Sequence, residues 1–148
     1  MSILVTGGTG YIGSHTCVEL INAGHDVIVL DNFYNSNVCV ADKIKKITNK
    51  AIKIYPGDIR DFKLLEKIFS ENQIEFVIHF AGLKSVSESC EKPLLYFDNN
   101  VNGTINLCNI MQKFAVKNLI FSSSATVYGN SSNAPYKEAM PTGQVCNP

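Results

Sequence analysis

An α/β fold with a doubly wound parallel sheet is predicted by an alternation of strand-like and helix-like segments and by one glycine-rich loop. Short apolar runs and helical apolar patterns alternate along the 148 residues, as they do in βαβ units. The glycine-rich loop, residues 7–13, directly follows the apolar run 3–5. A strand that turns into a helix within a few residues needs glycine at positive φ. The chain is therefore predicted to begin with a strand, a glycine turn and a helix.

The remaining elements are assigned from periodicity and turn residues. Apolar runs or alternation predict strands at residues 3–5, 27–30, 51–55, 76–80 and 119–121. Helical spacing predicts helices at residues 11–22, 40–47, 62–69 and 93–113. Gly24 ends the first helix, residues 35–37 offer caps to the second, and Asp61 caps the third. Residues 128–148 are rich in Asn, Ser, Pro and Gly and are predicted to form a loop.

The last two helices are predicted to bury defined apolar faces. In the third helix the buried residues are Phe62, Leu65, Ile68 and Phe69. The fourth helix opens at Pro93, and its apolar side is formed by Leu94, Val101, Ile105, Cys108 and Met111. Poor helix formers interrupt it at Asn99, Asn100, Asn102 and Gly103. Their presence suggests that these residues have a task beyond forming the helix.

Right-handed crossovers between the predicted strands give the sheet order 3-2-1-4-5. In such a sheet the ligand crevice lies at the carboxyl ends of strands one and four, where the order reverses. The loops predicted to open there are residues 7–13, 31–32, 58–59, 80–84 and 122–124. The sequence thus predicts one Rossmann-type domain with a crevice along one edge of its sheet.

The glycine loop and Asp31 together predict a dinucleotide site. Gly7, Gly10 and Gly13 would let a pyrophosphate approach the backbone, and the following helix would supply N–H donors and partial positive charge. Asp31 closes the second apolar run, where a carboxylate can accept both hydroxyls of an adenosine ribose and repel a 2′-phosphate. NAD is therefore favoured over NADP.

Several polar residues near the crevice have two interpretations each. Asp58 could accept the adenine amino group or be the polar residue of a Pro-Gly-Asp turn. Lys84 could be a cation beside the pyrophosphate and nicotinamide ribose, or a solvated loop lysine. Residues 122–124 are serines that could bind a substrate oxygen or be ordinary loop. His79 lies within an apolar strand and is interpreted as a core histidine rather than an acid or base.

Composition excludes several function classes. Thirteen basic and thirteen acidic residues give no net charge, so neither nucleic acid nor a membrane surface is an expected partner. No apolar stretch approaches the roughly 20 residues of a membrane span, and no leader precedes the first strand, so a cytoplasmic protein is expected. Three scattered histidines form no metal set. The cysteines are expected to be reduced and mostly packing residues; they are Cys17, Cys39, Cys90, Cys108 and Cys146.

Six stretches of the sequence, taken together, resemble one family. They are residues 4–15 (LVTGGTGYIGSH), 30–32 (LDN), 57–61 (GDIRD), 77–84 (VIHFAGLK), 98–104 (DNNVNGT) and 121–129 (FSSSATVYG). On these motifs the chain resembles the extended branch of the short-chain dehydrogenase/reductase superfamily, and within it the family of UDP-glucose 4-epimerases. The glycine loop is shared across the superfamily, whereas stretches 79–84 and 122–129 are much more specific to these epimerases.

The resemblance implies NAD as the cofactor and a UDP-hexose, UDP-glucose or UDP-galactose, as the substrate, and it allows a homodimer. Besides the three loop glycines, it implies that the NAD pocket is formed by Tyr11, Ile12, Asp31, Asn32, Asn35 and Ser36 within segment 31–36, Asp58, Ile59, Phe80, Ala81, Gly82, Leu83, Lys84, Asn99 and Ser124. It also implies that Ser124 binds the hexose and takes part in catalysis.

In the family, a hydride passes from C4 of the UDP-hexose to NAD and returns to the other face of the 4-keto sugar. A tyrosine of a Tyr-x-x-x-Lys pair removes the 4-hydroxyl proton, and its lysine lowers its pKa. None of the six tyrosines of this chain has a lysine four residues later, and the family's tyrosine would come at or just after Pro148. The chain, 1–148, is therefore expected to be an incomplete NAD-binding Rossmann domain without the carboxy-terminal nucleotide-sugar domain.

Two alternatives stay open. A nucleotide-sugar dehydratase of the same fold would place Asp-Glu where this chain has Ala125 and Thr126, so it is less favoured than the epimerase. A non-enzymatic NAD-binding module or truncated product is favoured by the missing Tyr-x-x-x-Lys pair. A Ser-His-Asp hydrolase would need a Gly-x-Ser-x-Gly segment, which the sequence lacks.

Overall fold

The computed structural model describes residues 2–129 and 135–143, which include a five-stranded sheet and its flanking helices. The strands are β1 (Ser2–Thr6), β2 (Asp26–Asp31), β3 (Lys53–Pro56), β4 (Ile74–His79) and β5 (Asn118–Phe121). The helices are α1 (Tyr11–Asn22), α2 (Val40–Thr48), α3 (Phe62–Glu71), α4 (Val86–Glu91), α5 (Pro93–Phe97) and α6 (Gly103–Lys113). A π-helical turn (Asp98–Asn102) joins α5 to α6, and a short 3₁₀ helix (Ala125–Tyr128) follows β5.

All five strands are parallel, in the order β3-β2-β1-β4-β5. The predicted fold class and strand order are therefore confirmed. In register, Val5 of β1 lies beside Val29 of β2 on one side and Ile78 of β4 on the other. Because the order reverses between β1 and β4, the carboxyl ends of these two strands form the predicted crevice.

Alternate residues of the strands supply two apolar cores, one on each face of the sheet. Leu4 packs in the same cluster as Leu65 of α3 and Leu107 of α6. Its neighbour Val5 packs in the other cluster, with Cys17 of α1. Adjacent strand residues point to opposite faces, so β1 is buried on both sides and holds the start of the glycine loop firmly in place.

Two of the predicted helix boundaries have the expected causes. The Asp61 carboxylate accepts a hydrogen bond from the backbone N–H of Leu64 at 3.0 Å and so caps α3. Gly24 has a φ of +88° just beyond α1, the left-handed conformation that ends helices. Both predicted helix ends are confirmed.

The predicted fourth helix, residues 93–113, is wrong in its continuity and in its buried side. The π-helical turn divides it, and α4, which precedes it, was not predicted. Of the predicted buried residues only Met111 is buried, whereas Leu94 is 81% exposed and three others are also exposed: Val101, Ile105 and Cys108. The buried side instead runs through Tyr96, Asn99, Gly103, Leu107 and Ile110. Because it includes a polar residue and a glycine, an apolar pattern counted from Leu94 follows the exposed side.

Two smaller predictions about packing are also wrong. Phe62 is exposed at the first position of α3, because the buried stripe of this helix starts one turn later, at Leu65. Cys17 is buried, and burial raises the pKa of its thiol to about 12, but the other described cysteines are exposed: Cys39, Cys90 and Cys108. Cys146 lies outside the described residues.

The described part of the carboxy-terminal segment, residues 135–143, has turns and bends rather than a helix or strand, as predicted for a loop. Within residues 2–129 and 135–143, none of the helices has the length and apolar character that a membrane crossing requires.

Candidate functional site

The glycine loop between β1 and α1 has no room for side chains. Gly7 has a φ of +70°, and a Cβ there would lie 2.7 Å from the backbone N of Ala81. A Cβ on Gly13 would lie 2.2 Å from the carbonyl oxygen of Gly7. Gly10 precedes α1 without a side-chain hydrogen bond, so the first turn of the helix offers its backbone N–H groups to an anion. The loop is therefore packed tightly against protein backbone at Gly7 and Gly13 and leaves the start of α1 open to an anion; we call this arrangement the glycine cradle.

Asp31, at the carboxyl end of β2, is only 8% exposed. Its carboxylate accepts hydrogen bonds from the backbone N–H of Thr9 at 2.9 Å, the N–H of Phe33 at 2.9 Å and the Ser36 hydroxyl at 3.0 Å. Because a carboxylate has about four acceptor sites, about one is left for a ribose hydroxyl. Asp31 thus ties the glycine loop to the loop after β2 and still brings a negative charge to the crevice.

A cavity of about 110 Å³, here called the first cavity, lies at this crevice. It brings together most of the predicted cofactor residues, namely Gly7, Gly10, Asp31, Asn32, Asn35, Ser36, Ile59, Phe80, Ala81, Gly82, Leu83 and Asn99. Leu30, Tyr34 and Gly57 complete its lining. The loops that follow β1, β2, β3 and β4 all contribute to it, as the predicted sheet order requires.

The other predicted cofactor residues, Asp58 among them, lie outside the lining of the first cavity. Tyr11 and Ile12 have exposed side chains in the first turn of α1. Gly13 packs against the glycine loop itself. Lys84 and Ser124 line a second cavity. Tyr11 also lines a further cavity together with Asn35 and Ser36.

Sequence reasoning missed Arg60, which joins Asp58 to Asp98. The guanidinium donates from Nε and Nη2 to the Asp58 carboxylate and from Nη1 to Asp98, each at 2.8 Å. The Asn32 amide also donates to Asp58, at 2.9 Å. These contacts, with the Arg60 side chain foremost, hold the pKa of Asp58 well below its usual range. The acceptor sites of Asp58 are already in use, which supports its interpretation as a structural residue of the turn. The sequence signal for the missed Arg60 was its place between two acids, Asp58 and Asp61.

The second cavity, of about 580 Å³, opens between the loop after β4 and the end of β5. Residues 80–83 line both cavities and form a wall between them. Lys84 Nζ donates to the carbonyl oxygen of Ser122 at 3.4 Å. The lysine ammonium therefore belongs to the second cavity rather than to the glycine loop.

Ser124 lies where β5 ends and caps the 3₁₀ helix that follows. Its hydroxyl oxygen accepts hydrogen bonds from the backbone N–H of Thr126 at 3.3 Å and from the Thr126 hydroxyl at 2.9 Å. A hydroxyl also carries one proton to donate, and Ser124 lines the second cavity. Thr126 thus fixes the position of a hydroxyl that can donate to an oxygen atom in this cavity.

His79, at the end of β4, is a buried histidine with both ring nitrogens in contact with hydroxyls. Nδ1 lies 2.5 Å from the Thr6 hydroxyl and Nε2 lies 3.0 Å from the Thr104 hydroxyl. Thr104 donates its own proton to the carbonyl oxygen of Asn100, so Nε2 carries the ring proton and Nδ1 accepts. Burial, with a smaller contribution from Lys84, lowers the pKa of His79 from 6.5 to about 4. The prediction of a core histidine is confirmed.

The π-helical turn shows what the poor helix formers do. The Asn100 side chain accepts from the backbone N–H of Leu83 at 2.8 Å and donates to the Leu83 carbonyl at 2.9 Å. Asn99 donates to Asn100 and lines the first cavity. A Cβ on Gly103 would lie 2.4 Å from Cδ1 of Ile59. Asn99, Asn100 and Gly103 therefore fix the wall between the two cavities and the close approach of α6, which confirms a task beyond the helix for these three; among the described residues, the Asn102 side chain bonds only within the turn, to Asp98.

Across 2–129 and 135–143, no three or more His, Cys, Asp or Glu side chains lie close enough together to hold a metal ion.

The parallel sheet order, the glycine cradle and the crevice at the ends of β1 and β4 define a Rossmann-type protein with a nucleotide-binding crevice. A family model described as "NAD dependent epimerase/dehydratase family" matches residues 3–148. The chain belongs to this family.

Relatives of known activity are similar along this whole chain but are much longer. The UDP-glucose 4-epimerase of Pasteurella multocida is 55% identical over 148 residues, which cover 100% of this chain and 44% of that protein. The UDP-glucose 4-epimerase of Bacillus subtilis is 52% identical over 143 residues, covering 97% and 42%. The chain thus spans less than half the length of the curated relatives it matches.

Solved structures show the same likeness. The UDP-glucose 4-epimerase of Bifidobacterium longum in complex with NAD⁺ and UDP superposes with a TM-score of 0.97 at 51% identity, covering 100% of this chain and 44% of that one. The enzyme from Stenotrophomonas maltophila, with bound NAD and formylated UDP-arabinopyranose, superposes with a TM-score of 0.92 at 48% identity, covering 97% and 43%.

Proposed function

We propose that the chain is the cofactor-binding part of a UDP-glucose 4-epimerase, which holds NAD and brings it to the hexose of UDP-glucose or UDP-galactose. The identity of about half to epimerases that bind NAD and UDP supports this. The observation that carries the proposal is the wall 80–83, which lines both cavities. A dinucleotide in the first cavity and a sugar in the second would meet at this wall.

The first cavity fits NAD by its chemistry. The close packing at Gly7 and Gly13 holds the loop in a tight turn from strand to helix, which is the turn that dinucleotide sites place beside the pyrophosphate. The start of α1 offers N–H donors to its charge. Asp31 has about one acceptor site left for a ribose hydroxyl, and its charge opposes a 2′-phosphate. When bound, NAD accepts a hydride and later returns it.

The second cavity suits a neutral sugar hydroxyl that loses and regains a proton. Epimerisation breaks the C4–H bond with its electron pair and the O–H bond at the same carbon, so that a carbonyl forms. The reverse steps on the other face restore the alcohol, and no net oxidation results. Ser124 would hold the 4-hydroxyl oxygen during these steps, since its own position is fixed by Thr126. His79 takes no part, because both of its nitrogens are engaged and its ring is neutral.

The base that removes the proton is not among the residues of this chain that we can assign. None of the six tyrosines precedes a lysine by four positions. We propose that the family's Tyr-x-x-x-Lys pair and its nucleotide-sugar domain belong to the further length that the relatives have. On this proposal the 148 residues alone bind NAD but do not turn over substrate.

A dehydratase is less favoured by the lining of the second cavity. An elimination of water needs an acid and a base in place of Ala125 and Thr126. Among the described residues that line this cavity, none is Asp or Glu, and Thr126 contributes a hydroxyl.

The proposal is tested by titrating the purified 148-residue chain with NAD in a calorimeter. One NAD per chain is expected to bind. No binding at millimolar NAD would contradict the proposal. To separate it from a non-enzymatic module, the same titration is made with UDP-glucose on a chain extended to the length of the relatives. Binding of NAD without UDP-glucose by that longer chain would support the module instead.

A further inference from the structure

Tyr34 and Glu88 join two segments that lie on opposite sides of the glycine loop. The Tyr34 hydroxyl donates to Glu88 Oε1 at 3.1 Å. Tyr34 lies in the loop after β2, and Glu88 lies in α4, which follows β4. In the sheet, β1 lies between β2 and β4. A direct bond between these two segments therefore has to pass over the carboxyl end of β1, where the glycine loop begins.

The Glu88 end of this bond is held by groups on its own side of the crevice. The buried Tyr96 donates its hydroxyl proton to Glu88 Oε2 at 3.0 Å and accepts from the backbone N–H of Ser85 at 3.1 Å. Lys92 Nζ lies 3.2 Å from Glu88 Oε1. These contacts, that of Tyr96 foremost, keep the pKa of Glu88 below its ordinary value. The carboxylate of Glu88, in α4, is therefore an ionised acceptor held in a fixed position.

The Tyr34 end is fixed by the backbone of its loop. Phe33 has a φ of +57°, and its N–H donates to Asp31. The N–H of Tyr34 donates to the Asn32 side chain at 3.0 Å. The Tyr34 side chain lines the first cavity and is 54% exposed, so it forms the outer wall of that cavity. Two bonds within the loop thus direct the tyrosine across the crevice.

We propose that Tyr34 and Glu88 form a strap that closes over the dinucleotide and limits how fast it enters and leaves. The inference rests on the proposed function, since it places NAD between the first cavity and the wall 80–83. A ligand that follows the carboxyl ends from β2 to β4 lies beneath this bond. Because the bond joins protein to protein, it raises the barrier to entry and to release alike. Its removal changes both rate constants and leaves the equilibrium constant almost unchanged.

The test is stopped-flow NAD binding by the 148-residue chain and its Tyr34→Phe variant, which loses only the hydroxyl. Both rate constants are expected to rise about fivefold, in keeping with one hydrogen bond to a charged group at an exposed site. The Kd should stay within about twofold and the Tm should be unchanged. Tyr55→Phe is the matched control, because it removes a tyrosine hydroxyl that donates to the Glu71 carboxylate at 2.7 Å, and Tyr55 lines neither cavity. Its rate constants should equal those of the unaltered chain.

Three results would overturn the strap. Unchanged rate constants in Tyr34→Phe, while the unaltered chain binds NAD, would overturn it alone. A weaker Kd with an unchanged association rate would show that Tyr34 contacts the ligand directly. Hydrogen exchange without NAD tests closure independently: residues 33–36 and 85–91 should exchange faster in Tyr34→Phe and not in Tyr55→Phe, and equal exchange would overturn the closure. If the unaltered chain binds no NAD, the proposed function fails and the strap's role fails with it.

Discussion

Two regions of the sheet, one around the glycine loop and one around β5, differ in how completely they are packed. On the side of the glycine loop, Leu4, Val5 and Val29 have no exposed surface, and three donors enclose Asp31. On the other side, all of β5 is exposed, with Leu119, Ile120 and Phe121 at 36%, 58% and 55%. An apolar strand at a sheet edge is a surface that other protein tends to cover. The nucleotide crevice therefore stands on its own core, whereas the second cavity has one wall, at Phe121, that remains more than half exposed.

The largest effect expected from this difference concerns turnover. The 148-residue chain should not interconvert UDP-glucose and UDP-galactose at a measurable rate. On the proposed function, the base and the sugar domain belong to the further length of the relatives; a base contributes about 10²–10⁴-fold, and positioning of the substrate can amount to about 7–11 kcal/mol. A coupled assay for UDP-glucose formation measures this, beside the same chain extended to the length of the relatives. Comparable rates in both chains would show that the base and the second cavity are misassigned.

A second prediction compares a tightly packed glycine of the glycine loop with a glycine that has open space around it. Gly13→Ala places a Cβ 2.2 Å from the Gly7 carbonyl oxygen, and the backbone has to move. It should lower the free energy of unfolding by about 3 kcal/mol or more. The control is Gly24→Ala, where φ is +88° and no atom lies within 4 Å. Only left-handed strain of about 1–2 kcal/mol is expected there. Urea unfolding compares the two, and equal losses would mean that the cradle is not tightly packed.

A third prediction concerns the pH dependence of stability that His79 of β4 causes. His79 lies between the two regions, and its ring faces that of Phe121 of β5 with centroids 5.6 Å apart. The pKa of His79 is about 4 in the folded chain against 6.5 when unfolded. Between these values the unfolded state binds more protons, so stability is lost as the pH falls from 6.5 to 4. The full loss corresponds to about 3 kcal/mol.

His79→Gln should remove most of this dependence, which unfolding curves at pH 7, 5.5 and 4.5 would measure. Asp58 does not blur the result, because its pKa lies below the usual value of 3.8 and its contribution is lost only at lower pH. The same pH dependence in the variant would show that another group is titrating.

A smaller effect concerns Ser124 in the second cavity. In a chain that carries the complete epimerase length, Ser124→Ala should lower kcat by roughly 10²-fold, the usual size for losing a proton-transfer partner. NAD affinity should barely change. Because Ser124 also caps the 3₁₀ helix through Thr126, Ser124→Thr is the control that keeps both the cap and the hydroxyl. Full turnover in Ser124→Ala would leave this serine with its capping role alone.

The regions of the molecule also differ in how well they could be predicted from the sequence. The glycine loop, Asp31 and the strand order could be predicted because their signals are local: a turn that only glycine can make and an acid at a strand end. The buried side of residues 93–113 could not be predicted. It runs through Asn99 and Gly103, which apolar periodicity does not mark as buried, and the neighbouring Asn100 bonds to Leu83, 17 positions away.

The linking residues show the same limit. Arg60 bonds to Asp98, 38 positions away, and Tyr34 bonds to Glu88, 54 positions away. Neither partner is visible in the local sequence, since each depends on which loops the sheet brings together. The lining of the first cavity was foreseen, whereas the bonds that hold its loops in place required the structure.

The smallest expected effect tests whether Asp31 acts by its charge or by its hydrogen bonds. In the unaltered chain NAD should bind more tightly than NADP by at least about tenfold, because the buried carboxylate opposes a 2′-phosphate. Asp31→Asn removes the charge and should reduce that preference to about twofold or less. It also disturbs the donors at Thr9 and Phe33, so weaker binding of both cofactors is expected as well.

Ser36→Ala is the matched control for Asp31→Asn. It removes one of the three donors to the carboxylate and leaves the charge in place. If charge decides the choice, this variant binds both cofactors less tightly and keeps the tenfold ratio. Calorimetric titration of the three proteins with each cofactor measures the ratio directly. Should Ser36→Ala lose the preference as fully as Asp31→Asn, the arrangement of the loop after β2, rather than the charge of Asp31, would be what selects NAD.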